Sequence, residues 1–133
     1  MMDPLDMMFK AGIDYRLKLT LKGTWYRMIE SGEKKEEYRE ITPYWCNRLL
    51  YYGSLGKDDF WEGVLKKVDD LRDLKQIYTT REYDTITFYH GYATDRPQMS
   101  YEFTGIDIRE GKPEWGAEPG KLYFVIGIGR RLS

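Results

Sequence analysis

Between residues 85 and 128 the chain alternates apolar and polar side chains in three separate runs, and this period of two narrows the fold more than any other feature. The first run is Thr85-Ile86-Thr87-Phe88-Tyr89-His90 and the second is Met99-Ser100-Tyr101-Glu102-Phe103. The third, residues 122–128, puts Leu122, Phe124, Ile126 and Ile128 on one face. Successive side chains of a strand point to opposite faces, so each run reads as a strand with one buried side. Gly105 interrupts the second where a bulge would help a sheet curl. Gly111, Pro113, Gly116, Pro119 and Gly120 make a turn-rich loop before the third.

The first half mixes periods. Residues 1–14 lack periodicity and read as a loosely held N-terminal arm. Leucine alternates with polar residues over 16–22, a half-buried strand that Gly23 breaks. Thr24 is placed to cap a short helix whose Trp25, Met28 and Ile29 fall at i, i+3 and i+4. Gly32 stands where helices end in a left-handed residue. Thr42-Pro43 supplies an N-cap followed by proline at the first helical position. The helix it opens runs to about residue 51, with Trp45, Leu49 and Tyr52 on one side. After a Gly53–Gly56 loop, a longer helix begins near residue 59 and carries Phe60, Val64, Val68 and Leu71. Its opposite face, Glu62, Lys66, Asp69, Asp70 and Asp73, reads as solvated. A strand and helices followed by antiparallel strands predict an α+β fold, a small curved antiparallel β-barrel with flanking helices.

Composition bounds the function. The 133 residues suit one domain, and 41% hydrophobic with 16% aromatic content argues against disorder. Lys plus Arg is 21 and Asp plus Glu is 22, so the net charge is 21 − 22 = −1. That excludes a polybasic protein held on nucleic acid by bulk charge, while leaving room for a local basic cleft. Cys46 is the only cysteine and reads as a small buried hydrophobe. With His90 the only histidine, nothing calls for a metal site or a cofactor. No apolar run approaches the roughly 20 residues of a membrane helix, so no membrane partner is expected. The start, acidic and broken by Pro4, is unlike a secretory signal. Together these read as cytoplasmic.

Residues 34–41 carry almost no apolar side chains although ordered elements flank them. On a strand, Glu37, Arg39 and Ile41 share one face, while Lys34, Glu36, Tyr38 and Glu40 share the other if the strand is regular from Lys34. A Glu37–Arg39 ion pair then faces inward, and inward charge is tolerated only when paired and hydrogen-bonded. Such a face marks either a polar cleft or an exposed edge strand whose charges discourage aggregation.

Gly32-x-Lys34-x-x-Glu37-x-Arg39 resembles the G-x-K-x-x-E-x-R signature of ASCH domains, relatives of the PUA-like RNA-binding barrels. The likeness extends to the strand at 17–21, the helix at 24–31, Trp115-Gly116 and the closing run 124–129. The helical stretch at about 54–82 looks like an insertion relative to the shortest members. The resemblance implies a PUA-like barrel with helices outside and RNA or a nucleotide-like ligand in a cleft along the signature strand. Lys34 and Arg39 would then meet phosphate or base edges. Glu37 would orient Arg39 or accept from a base amino group, and Tyr38, Tyr89 and Trp115 would stack bases. His90 ends a strand with Ile86 and Phe88 on its face, so it reads either as a packed rim residue or as a cleft residue beside Lys34.

Some relatives are enzymes. One small branch hydrolyses the amide of N4-acetylcytidine with a threonine nucleophile, where this chain has Glu37. Ribonuclease activity has also been suggested for the family. Lys34 and Glu37 are therefore the catalytic candidates of an alternative reading, a hydrolase of a modified nucleoside or of RNA.

Overall fold

A computed structural model of the chain describes residues 15–51, 58–92 and 94–133. The N-terminal arm at 1–14 and Tyr52 of the expected second helix face lie outside them. The first strand, β1 (Arg16–Leu21), buries Leu17, Leu19 and Leu21 and turns Arg16, Lys18 and Thr20 the other way. Helix α1 (Gly23–Glu30) follows, then β2 (Glu36–Arg39), α2 (Pro43–Leu49) and the short β3 (Leu50–Tyr51). Next come α3 (Asp58–Lys67), α4 (Leu74–Ile77) after a 3₁₀ turn at Leu71–Asp73, and β4 (Thr79–Thr80). The chain ends with β5 (Thr85–His90), β6 (Gln98–Glu110) and β7 (Leu122–Arg131).

Five strands form one strongly curled α+β half-barrel in the order β1-β5-β6-β7-β2. The expected antiparallel barrel needs correction on two counts. β1 pairs β5 in parallel, so the sheet is mixed, and β1 and β2 remain as two edges. A β1 that leads into helices before reaching its neighbour β5 has the connection length a parallel pair requires. The alternating runs of the second half become β5, β6 and β7. Gly105, at φ 131°, lies where the β6–β7 register shifts, which bends these long strands.

Boundaries moved where local hydrogen bonding outweighed periodicity. Helix α1 begins at Gly23, and its first bond runs from the Tyr26 amide to the Lys22 carbonyl. Thr24 therefore lies inside the first turn rather than capping it. Thr42 does cap α2, its hydroxyl accepting from the Trp45 amide at 3.3 Å, with Pro43 at the first helical position. That helix stops at Leu49 because Leu50 and Tyr51 turn extended and pair with Thr80 and Thr79. The predicted long helix divides at Asp70, whose carboxylate accepts from the Arg72 amide at 3.0 Å and starts a separate turn. Phe60, Val64 and Leu71 are partly buried and pack against the core.

The core joins the leucines of β1 to Ile86, Phe88, Ile106, Ile108, Phe124 and Ile126, with Trp61, Leu49 and Cys46 from the helices. Among the described residues no helix is long and apolar enough to cross a membrane. Burial pushes the Cys46 thiol up to about 12 from an ordinary 9.0, and also raises Tyr83 and Tyr101. A group whose folded value lies above its unfolded one contributes stability that is complete below the unfolded value and is lost as pH climbs through the folded one. The urea midpoint is therefore expected to fall as pH rises from about 9 toward 12. At neutral pH, iodoacetamide is expected to modify Cys46 only at the rate of global unfolding; rapid labelling of the native protein would contradict its burial.

Candidate functional site

Strand β2 is one edge of the half-barrel, paired only with β7, so that Glu37 faces Ile126 and Arg39 faces Phe124. These partners belong to the main core, which places Glu37 and Arg39 on the inner side. The intervening Tyr38 faces Val125 and joins a separate small cluster with Ala117 and Tyr123. The alternation expected of this strand is thus observed from Glu36 onward.

Lys34 departs from that alternation. It precedes the strand, its amide bonds the Met28 carbonyl at the end of α1, and Gly32 at φ 85° reverses the chain just before it. Its side chain is 1% exposed and its ammonium lies 3.2 Å from Glu37 Oε1. It also donates to the carbonyls of Glu36 at 2.6 Å and Trp115 at 3.0 Å. An ammonium has three donors, and all three are used. Tyr38 and Trp25 lie 4.6 and 5.6 Å away as aromatic walls. Burial pulls the Lys34 pKa down, and the neighbouring Glu37 carboxylate pulls it back up.

Glu37 is held from both sides. Oε1 accepts from Lys34 and from the Tyr38 amide at 3.1 Å, while Oε2 accepts from Arg39 Nη2 at 2.6 Å. The same Nη2 donates to the Thr20 carbonyl at 3.0 Å, so one guanidinium links β2 to β1, the opposite edge of the sheet. The Trp45 ring lies 5.0 Å from the guanidinium carbon. Arg39 Nε is buried without a hydrogen-bond partner among the described residues. A charged group left with an unmet buried donor is uncommon in folded proteins. Nη1 also has no such partner, and Arg39 lines a cleft of about 370 Å³.

That cleft is bounded by Thr20, Lys22, Trp25, Glu37, Arg39 and Tyr92. Gly116, in a left-handed turn at φ 104°, abuts the Trp25 indole so closely that a Cβ there would stand 2.9 Å from the ring. The turn that supplies the Trp115 carbonyl to Lys34 thereby also seats Trp25. Tyr92 is 89% exposed on the other wall.

Of the candidates from the sequence, Lys34, Glu37 and Arg39 converge, with Lys34 beneath and Arg39 at the surface. Tyr38 supplies one face of the lysine cage, and its hydroxyl accepts from the Lys112 amide at 3.0 Å. Trp115 contributes its carbonyl, while its ring lies under the Lys112 ammonium at 4.3 Å. His90 stacks on Tyr26 with ring centres 5.1 Å apart. Tyr89 faces a neighbouring depression, with the Arg96 guanidinium 4.2 Å over its ring. Sequence reasoning missed Trp25, assigned to the helix core, and Tyr92. The signal for Trp25 was its neighbour: Tyr26 and Ile29 already fill the buried face of α1. Comparison of the chain with protein-family models, with curated proteins and with solved structures returns no match. The site is therefore read from its own geometry.

Removing one member of a buried ion cluster strands the others. Lys34→Ala is expected to lower the unfolding free energy by about 3 kcal/mol in urea titration. Lys34→Met with Glu37→Gln, which removes both charges together, is expected to cost less than Lys34→Ala alone. A larger loss in the double variant would contradict the clamp.

Proposed function

We propose that this chain is an RNA-binding domain of the ASCH type with a PUA-like barrel, and that it holds a nucleotide unit in the cleft above Arg39. The observation that carries this reading is the state of the Arg39 guanidinium. One face is covered by Trp45, Nη2 is tethered to Glu37 and to the Thr20 carbonyl, and the residue lines a cleft walled by Trp25 and Tyr92. A guanidinium fixed in plane and orientation is suited to anionic oxygens or base edges, because little side-chain freedom remains to be lost on binding. An aromatic wall beside it can take the face of a base.

In this reading Lys34 and Glu37 act on Arg39 rather than on the ligand. The hydrolase alternative asks Lys34 or Glu37 to reach a substrate. Every Lys34 donor is occupied, however, and both Glu37 oxygens are engaged by cations, so binding fits the arrangement better than catalysis.

Arg39→Gln and Trp25→Ala are each expected to weaken binding of a short oligoribonucleotide, the latter by about 1–3 kcal/mol. Fluorescence anisotropy with the full chain measures both, and circular dichroism checks that the variants fold. Unchanged affinity in both folded variants would refute the cleft. Incubation with N4-acetylcytidine and short RNAs is expected to yield no product; product that disappears in Lys34→Ala would favour the enzyme instead.

A further inference from the structure

The Arg39 cleft does not end at Thr20. That residue also lines a second depression of about 610 Å³, formed with Lys18, Tyr89 and Arg96. Lys18 in turn lines a third of about 330 Å³, with Arg16, Arg48 and Arg81. The three are thus neighbours that share residues of β1, Thr20 between the first two and Lys18 between the second and third. At roughly 3.3 Å per residue, the path from Arg16 to Lys22 is about 20 Å long.

Arg48 and Arg81 line the third depression and Arg96 the second, and none of the three forms an ion pair with a described residue. Arg48 lies 5.1 Å from the Tyr44 ring centre and 6.0 Å from that of Trp45, and Arg81 lies 5.3 Å from that of Tyr51. Tyr44 and Tyr51 are each 49% exposed. Arg81 Nε donates to the Leu50 carbonyl at 3.0 Å, which fixes that guanidinium, and arginines beside tyrosine rings and unmatched by carboxylates present donors suited to phosphate oxygens beside rings suited to bases.

We infer that this trough along β1 carries the phosphate backbone of a single-stranded RNA away from the nucleotide in the cleft, with Arg48 and Arg81 gripping it at the far end. The inference rests on the cleft reading for its near end only. A track of about 20 Å corresponds to about four nucleotides, the lower end of the site sizes seen for single-strand binding folds. The cations act on phosphates, so the trough adds affinity and salt dependence without reading sequence.

The test is a titration of the full chain with uridine 5′-monophosphate and with a six-residue oligouridylate at several salt concentrations. The wild type is expected to bind the oligomer more tightly than the monomer. Arg48→Gln combined with Arg81→Gln is expected to weaken the oligomer about tenfold or more while leaving the monomer unchanged. The slope of log K against log salt should shrink by about 1.4, since each single-strand phosphate contact contributes about 0.7. Arg48→Gln alone gives a second reading, because its side chain forms no hydrogen bond or ion pair with a described residue and circular dichroism checks that the variant folds; it is expected to produce about half the change in slope. Oligomer affinity and slope unchanged in both variants would overturn the trough. If Arg39→Gln weakens neither ligand but the double variant still weakens the oligomer, the cleft reading fails and the trough stands. Failure of the wild type to bind the oligomer overturns both.

Discussion

One buried carboxylate organises this end of the molecule. Glu37 accepts from Lys34 on one side and from Arg39 on the other, and neither cation is at home where it lies without it. An ammonium that is 1% exposed carries a desolvation cost that only close, well-oriented acceptors offset. The two carbonyls that complete the Lys34 shell come from the start of β2 and from the turn before β7. The lysine thus ties the edge strand to a distant loop, and that loop in turn abuts Trp25. Arg39 carries the connection across the open side of the half-barrel to Thr20 on β1. The clamp is therefore both a packing device and the mount for the guanidinium that borders the cleft. Its cost in buried charge is understandable if a fixed arginine at the surface is what the fold gains.

The near-neutral composition hides an uneven distribution of charge. Many acids are matched locally: Asp107 with Lys75 and Arg109, Glu36 with Arg109, Glu40 with Lys121, and Glu102 with Arg130. These pairs are exposed or partly so and contribute little stability individually. Their effect is to neutralise the far strands. Arg48, Arg81 and Arg96 are left along β1 with no ion-pair partner among the described residues, and net charge alone does not reveal such a pattern. Binding built on a handful of such cations is expected to be modest and moderately sensitive to salt.

The parts of this architecture legible in the sequence were those governed by short-range rules. Alternation marked β1, β5, β6 and β7, Thr42-Pro43 marked α2, and Gly105 marked a bend. The inward Glu37–Arg39 pair followed from strand geometry once a strand was assumed. Three features depended on tertiary context. The parallel β1–β5 pairing is a choice of partner, which alternation does not encode. Lys34 lies outside the regular strand because Gly32 and the Met28 carbonyl hold the chain before it, so that the strand starts two residues later, at Glu36. Trp25 looked like a core residue because helical spacing identifies a stripe but not its margin, where a ring can border solvent. Tyr89, His90 and Trp115 were cleft candidates from the sequence, and their rings lie against partners that strand alternation does not encode: Arg96, Tyr26 and Lys112, respectively.

The central claim is that ligand meets the molecule at Arg39 and Trp25 rather than at the Lys34 cage behind them. The two tryptophans on either side of that cage make the distinction directly observable. In a heteronuclear NMR titration of the full chain with uridine 5′-monophosphate, the indole Nε1–H of Trp25 and the Arg39 guanidinium signals are predicted to shift together, while the Trp115 indole stays in place. Shifts centred on Trp115 and the Lys34 ammonium, with Trp25 and Arg39 unmoved, would contradict the account.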